Sequence, residues 1–370
     1  MFLTIIIAIV SIIALLVIHE FGHFIIAKKC GVKVEEFGVG YPPRICGKKF
    51  GETLYSLNLI PFGAFVKIHG ETGGIEDYRS FIGKPMWQRF LIVVGGVVSF
   101  WIVSVILLSI VAGVWGLPTA VSDEANQGLI DPKVQIVGVL EDSPAGKAGL
   151  KLGDIIIKIN PTLSGQNSKI KNVDKVKQVQ EFTKIHKGEE ITLTIKRGEE
   201  VLEIPIIPRV SPPEGEGLMG VVLTRVALKP YPWYRTPIQG VKACGYLTVN
   251  IIDGWILGLK SVLGIAKLPP GVKFELMGPL GIFDLLREYF ARGLNYFLYL
   301  VSLISIALAL ANILPIPALD GGKLVFLGIE TIRRKPISSK IEQKVTAVFF
   351  ILLITLMIYI TVRFDIPRVF

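Results

Sequence analysis

Cysteine is close to absent: Cys30, Cys46 and Cys244 are the only three in 370 residues, and no two stand at a C-x-x-C spacing. A structural zinc ribbon is therefore excluded, and no disulfide is expected. Histidine is nearly as scarce, with four, so imidazole chemistry must draw on His19, His23, His69 and His186. Charge is missing from residues 2–18, and no basic segment precedes that run. A cleaved signal peptide carries such a basic start, so the run is expected to be retained. A recognition motif for nucleic acid is also lacking, so the net charge of +10 is not read as a nucleic-acid surface.

Apolar length is what the chain has in abundance. Hydrophobic residues make up 51% of it, and the mean hydropathy is +0.57. Four runs, at residues 4–26, 90–114, 294–314 and 345–362, approach the ~20 apolar residues, each rising ~1.5 Å, that cross a bilayer. Lys28, Lys29, Lys33, Lys48 and Lys49 follow the first run, and Lys323, Arg333, Arg334 and Lys335 follow the third. Basic loops stay in the cytoplasm, which puts both of these inside and both termini outside. The long segment from about residue 116 to 295 is expected outside despite its lysines, because long domains translocate regardless of charge. The expected fold is an α-helical polytopic membrane protein with four transmembrane helices, a β hairpin and an inserted extracytoplasmic α+β module. Its partner in bulk is the lipid bilayer, whose anionic headgroups suit the basic loops.

The first run carries chemistry. His19 and His23 stand four apart and so return to one face of a helix, with Glu20 beside them. Ionisable groups at membrane depth are costly and point to function by default; the plain alternative is a helix end with two snorkelling histidines. Two imidazoles leave Zn²⁺ one protein ligand short of a catalytic site, in which the ion keeps an open position for water. His69, Glu35, Glu36 and Glu71 are candidates for the third ligand, but they lie in the basic loop away from any expected helix. Asp320 is the better candidate. It follows the third run, where Pro315 and Pro317 stop the helix and Gly321 and Gly322 allow close backbone approach, on the same side as the histidines. Its alternative role is a helix cap.

After the first run, β-like stretches at residues 32–39, 53–60 and 64–68 are separated by Gly/Pro turns. Leu57, Leu59, Ile60 and Phe65 would leave a small sheet too apolar for water, so it is expected to pack on or dip between the membrane helices. An open edge there pairs with an extended substrate strand, which makes Leu57, Asn58 and Leu59 candidate substrate-binding residues.

The expected domains are residues 1–115, with two spans and a β loop at about 32–70; a linker at 116–133; a soluble module at 134–208; a linker with an interfacial amphipathic helix at 209–293; and 294–370 with the last two spans. The module has four β-rich pieces and a helix expected at 173–183. Its segment 142–160, from Asp142-Ser143-Pro144 through Gly153-Asp154-Ile155 to Asn160, resembles the PDZ signature, and a PDZ fold takes a peptide ligand by strand addition. The alternative is a steric spacer. The interfacial helix is expected at 237–267, where Asp253 and Lys260 interrupt the apolar pattern.

Taken together, His19-Glu20-Phe21-Gly22-His23, the run from Asn312 through Pro315 and Pro317 to Asp320-Gly321, the element Met277-Gly278-Pro279, and the inserted PDZ-like module resemble the site-2 protease family of intramembrane metalloproteases, of the bacterial regulator-of-sigma-E protease type. The resemblance covers essentially the whole chain. It implies zinc held by His19, His23 and Asp320, with Glu20 as general base. It also implies a membrane-reentrant β hairpin that holds the substrate strand and Asn312 near the substrate backbone, with Pro315 and Pro317 of the same motif as candidate substrate-binding residues. The activity implied is regulated cleavage of single-pass membrane proteins in the bacterial inner membrane, such as anti-sigma factors already cut by another protease or remnant signal peptides. One departure is the single PDZ-like module, where the best-known members of this type carry two. The rival reading is a membrane-embedded PDZ scaffold with a structural metal or none.

Overall fold

A computed structural model describes the chain except for residues 1, 72–76, 126–127, 141, 162–170, 199, 267, 269–275, 336 and 370. Helix α1 (Phe2–Lys29) leads into strands β1 (Val34–Phe50) and β2 (Thr53–Ile68), and then α2 (Met86–Val114). Next come β3 (Leu117–Ala120), β4 (Ile130–Val139), α3 (Pro144–Lys147), β5 (Ile155–Pro161), β6 (Lys171–Asn172), α4 (Val176–Ile185), β7 (Ile191–Arg197), β8 (Glu200–Ile206) and β9 (Val221–Lys229). The chain closes with α5 (Thr236–Val262), α6 (Pro279–Arg292), α7 (Leu294–Ile313), α8 (Asp320–Arg333), α9 (Ser339–Ile360), a π-helical turn at Thr361–Asp365 and the short α10 (Ile366–Val369).

Among the described residues, four helices are long and apolar enough to cross a membrane: Ile6–Lys29, Met86–Val114, Leu294–Ile313 and Ser339–Asp365. Without a hydrophobic drive between helices in lipid, close packing of small residues and interhelical hydrogen bonds must hold them. Both are present. A Cβ on Gly22 would stand 2.3 Å from the Gly95 carbonyl oxygen, so α1 and α2 touch backbone to backbone. The Ser104 and Ser305 hydroxyls donate across the α2–α7 contact to the Ser302 and Phe100 carbonyls, at 3.0 and 2.8 Å. By contrast α9 has no buried residue along its length, the surface of a helix built to face lipid. The turn that follows it, Thr361–Asp365, docks on the bundle, where buried Asp365 accepts from the Gly278 N–H at 2.9 Å.

Helix α5 covers most of the stretch where an interfacial helix is expected. Helix α5 packs lengthwise on α2 and α7: Thr236 meets Gly113, Gly240 meets Ser109, and Cys244 and Leu247 share a buried cluster with Leu108, Val111, Ile306 and Leu310. Gly113 of α2 and Gly240 of α5 each lack the side chain that would hold the two helices apart there. Lys267, the expected end of that helix, falls outside the described residues.

Strands β1 and β2 are long and bent, and their pairing makes four segments. Residues 34–39 pair antiparallel with 64–68 on one side, from Val34 opposite Ile68 to Val39 opposite Ala64, and run alongside 54–57 on the other, from Glu36 beside Leu54 to Val39 beside Leu57. Residues 46–50 then pair back onto 53–57. The order across the sheet is therefore 46–50, 53–57, 34–39, 64–68, and residues 64–68 form an edge.

The other sheet has seven strands in the order β3-β9-β4-β5-β7-β8, with β6 on β5. Val134, Ile136, Ile156, Ile159, Leu193, Ile195 and Ile206 form its core beneath α4. This sheet reaches beyond residues 134–208 at both ends, taking β3 from the expected first linker and β9 from the second. The Pro/Gly-rich stretch at 212–217 reads as an exit, yet the alternating Val221–Lys229 beyond it returns to pair with both β3 and β4.

Candidate metal centre and active-site cleft

Helix periodicity brings His19 and His23 to one face of α1, and both are buried. Their Nε2 atoms lie 3.3 Å apart. Asp320, the first residue of α8 and equally buried, places Oδ2 at 3.3 Å from His19 Nε2 and 3.2 Å from His23 Nε2. Ligand bonds of ~2.0–2.1 Å at tetrahedral angles separate neighbouring donor atoms by ~3.3 Å. The three separations are thus those of one face of a zinc tetrahedron, and among the described residues this is the one His/Cys/Asp/Glu group close enough to hold a metal ion. The donor chemistry fits as well. His23 Nδ1 donates to the Ile92 carbonyl at 2.8 Å, which leaves the Nε2 lone pair aimed at the centre. His19 is held by stacking on Phe100, with ring centroids 4.7 Å apart.

The cap alternative for Asp320 is not realised, since the N-cap is Leu319 and makes no side-chain cap bond. The other third-ligand candidates are engaged elsewhere. Glu35 pairs with Lys67 and His69, Glu36 accepts from Arg44 and Ser56, and Glu71 pairs with Lys323.

Glycines make the centre compact. A Cβ on Gly96 of α2 would fall 2.2 Å from His23 Nε2, and one on Gly321 would fall 2.2 Å from the Ile313 and Leu314 carbonyl oxygens. The loop from α7 to α8 therefore wraps directly over the backbone that presents Asp320. The adjacent pair Gly95-Gly96 in an apolar helix is a readable sign of close packing, although nothing in sequence says that His23 lies against it.

Glu20 points from α1 toward the edge of the first sheet, where one carboxylate oxygen accepts the Val66 N–H at 3.1 Å. Glu20, His23 and Asp320, with Tyr41, edge residues 64–66, Glu71 and Lys323, line a cleft of about 200 Å³. Leu57, Asn58 and Leu59 are not in it. Val39 stands between Leu57 and Ala64 in the sheet, while Leu57 and Leu59 are exposed and Asn58 is buried, donating to the Gly40 carbonyl at 3.1 Å. Asn312 donates to Leu308 one turn back on its own helix at 2.9 Å. Pro315 is exposed, and Pro317, whose carbonyl accepts from Thr346, lines a second cavity behind the cleft.

A transmembrane bundle with a buried two-histidine, one-aspartate centre and an adjacent glutamate defines a membrane-embedded metallohydrolase. The chain belongs to peptidase family M50, the site-2 proteases, whose description matches it over residues 7–356. It is a zinc metalloprotease. It is 33% identical over 360 residues, 97% of each chain, to a Clostridium perfringens protein provisionally named a zinc metalloprotease. It is also 27% identical over 457 aligned positions, covering 100% of both chains, to the regulator of sigma-W protease RasP of Bacillus subtilis, and 26% identical to the zinc metalloprotease RasP of Oceanobacillus iheyensis across 95% of this chain and 96% of that one.

Proposed function

We propose that this metalloprotease cleaves single-pass membrane proteins within or beside their spans in the bacterial inner membrane, with His19, His23 and Asp320 as the zinc ligands and Glu20 as the general base. The observation that carries the reading is the zinc-spaced donor triangle with Glu20 tied to a free strand edge. Zinc, when bound, polarises a carbonyl and lowers the pKa of water toward neutrality. The protein does the rest. Residues 64–68 receive an unwound substrate segment as an added strand, which aligns its backbone past Glu20. Such a strand takes up the Val66 N–H and frees the Glu20 oxygen that occupied it. Glu20 then accepts the water proton and returns it to the departing amine. A helical span must unwind first, because its carbonyls are bonded internally.

The basic loops argue for a cleft facing the cytoplasm, with both termini and the seven-stranded module outside. The first sheet, apolar and packed on α1, suits a reentrant position. The module suits a PDZ-like unit of residues 117–229 that screens substrate ectodomains or holds a peptide, which makes proteins already trimmed by another protease the natural substrates. Anti-sigma factors and remnant signal peptides fit that description, and the sigma-W regulator among the relatives points the same way. The test is the purified chain with a membrane-span peptide. Zinc at one equivalent and hydrolysis are expected, with Glu20→Gln keeping the zinc and losing ~10²- to 10⁴-fold in rate; a Glu20→Gln chain of near-normal rate refutes the assignment.

A further inference from the structure

Two cavities meet at one ion pair. The first is the cleft of about 200 Å³ around Glu20, His23 and Asp320. The second, about 500 Å³, lies between the start of α2, α8 and the root of α9, with Phe81, Arg89, Leu327, Ser339 and Glu342 in its wall. Glu71 and Lys323 line both, and Lys323 Nζ donates to a Glu71 oxygen at 2.6 Å. The partition between the cavities is therefore made in part of two side chains that attract each other.

The pair is built differently from its neighbour. Arg89 and Glu330, 2.8 Å apart in the same wall, keep only 12% and 9% of their side-chain surface, and Glu330 also accepts the Ile337 N–H at 2.9 Å. That pair is a fixed strut. Lys323 and Glu71 retain 43% and 22%, surface that faces the two cavities. A partly solvated ion pair is weak, and a lysine stem swings through four carbons. Lys323 also stands one turn after Asp320, on the same face of α8. It can turn without moving the ligand, because Gly321 and Gly322 pin the backbone under residues 313–317.

Hydrolysis consumes one water per bond, and a substrate strand lying along residues 64–68 closes the open side of the cleft. Water then needs a second way in. Resting on the protease reading above, we propose that the 500 Å³ cavity is a water vestibule of the active site and that the Lys323–Glu71 pair is its door.

The test uses the full chain in detergent, loaded with zinc and with the cleft filled by a non-cleavable span peptide, and follows the rate at which a soluble chelator captures the metal. Glu71→Gln and Lys323→Met are each expected to raise that rate about fivefold, the shift in open population that losing a partly exposed ion pair allows. Exchanging the charges, Glu71→Lys with Lys323→Glu, is expected to return the rate to within about twofold of the unmodified chain. Should either single variant fail to fold, Ser339→Trp, which narrows the vestibule away from the metal, is expected to slow capture without changing zinc content. Capture rates that stay unchanged in the folded variants and in Ser339→Trp overturn the door. Zinc content and hydrolysis of the unmodified chain are read first, so a failure of the protease reading is seen separately.

Discussion

Gly96 shows how little freedom the centre has. Its hydrogen occupies the place where any side chain would meet His23 Nε2 at 2.2 Å, and the obstacle is an imidazole already held by the Ile92 carbonyl. Gly96→Ala, a change that favours helix by itself, is therefore expected to lower zinc occupancy and activity together, measured by metal analysis of the purified variant; full occupancy would show that the ring can shift. Asp320→Asn keeps the size and removes the charge. It is expected to weaken zinc binding by at least the ~10- to 100-fold that loss of a merely supporting group brings, read by competition with a chelator of known affinity. Retained binding would remove Asp320 from the ligand set.

At the scale of elements, the His69 imidazole helps to fasten the first sheet to the loop ahead of α2. His69 Nδ1 lies 2.7 Å from Glu35 and Nε2 lies 3.1 Å from Asp77. Hydrogen bonding to Glu35, then to Asp77, raises the His69 pKa above the ordinary histidine value, and bonding to His69, then Lys67, lowers that of Glu35. The folded state thus holds the His69 proton more tightly than the unfolded chain does. The stabilisation is complete below the unfolded histidine value of ~6.5 and is lost as pH rises through the higher folded value. Thermal unfolding between about pH 6 and 8 is expected to show this fall in the native protein and to lose it in His69→Gln; the same slope in both would assign it to another group. The edge at 64–68 belongs to this scale too. Val66→Pro removes the N–H that holds Glu20 and blocks strand addition, so substrate hydrolysis should fall sharply while zinc content holds.

For the molecule as a whole, the seven-stranded module is mounted on two adjacent stalks. Gly116, just after α2, has its φ at +93° and lies so close to Lys229 and Pro230 that a Cβ would stand 2.8 Å from the Lys229 carbonyl carbon. The chain leaves and rejoins the bundle at nearly one point, through β3 paired with β9. Removing residues 117–229 and joining the ends by a short Gly/Ser segment is therefore expected to leave a folded bundle that still cleaves a short, pre-trimmed peptide. Removing only 134–208 strands β9 without β4 and exposes its apolar face, so that version should aggregate. Size-exclusion profiles in detergent and peptide hydrolysis distinguish the two, and the opposite ranking would mean that the module reaches into catalysis.

What the sequence determined alone is what local rules govern. Run length set the four spans, the 3.6-residue helical period put His19 and His23 on one face, and the two prolines and two glycines around Asp320 marked a helix stop followed by close approach. Only the tertiary structure decided pairings between distant segments. Strand register in a bent sheet depends on which neighbour each edge finds, so residues 64–68, rather than Leu57 to Leu59, became the edge beside Glu20. The placement of α5 against α2 rested on two glycines more than 120 residues apart, and β9 joined the module from beyond a proline-rich stretch that local reading takes as its end. Glu71 likewise reached the cleft from 252 positions before its partner Lys323. Such contacts repay loop closure only after the chain has folded, and no window of sequence contains both partners.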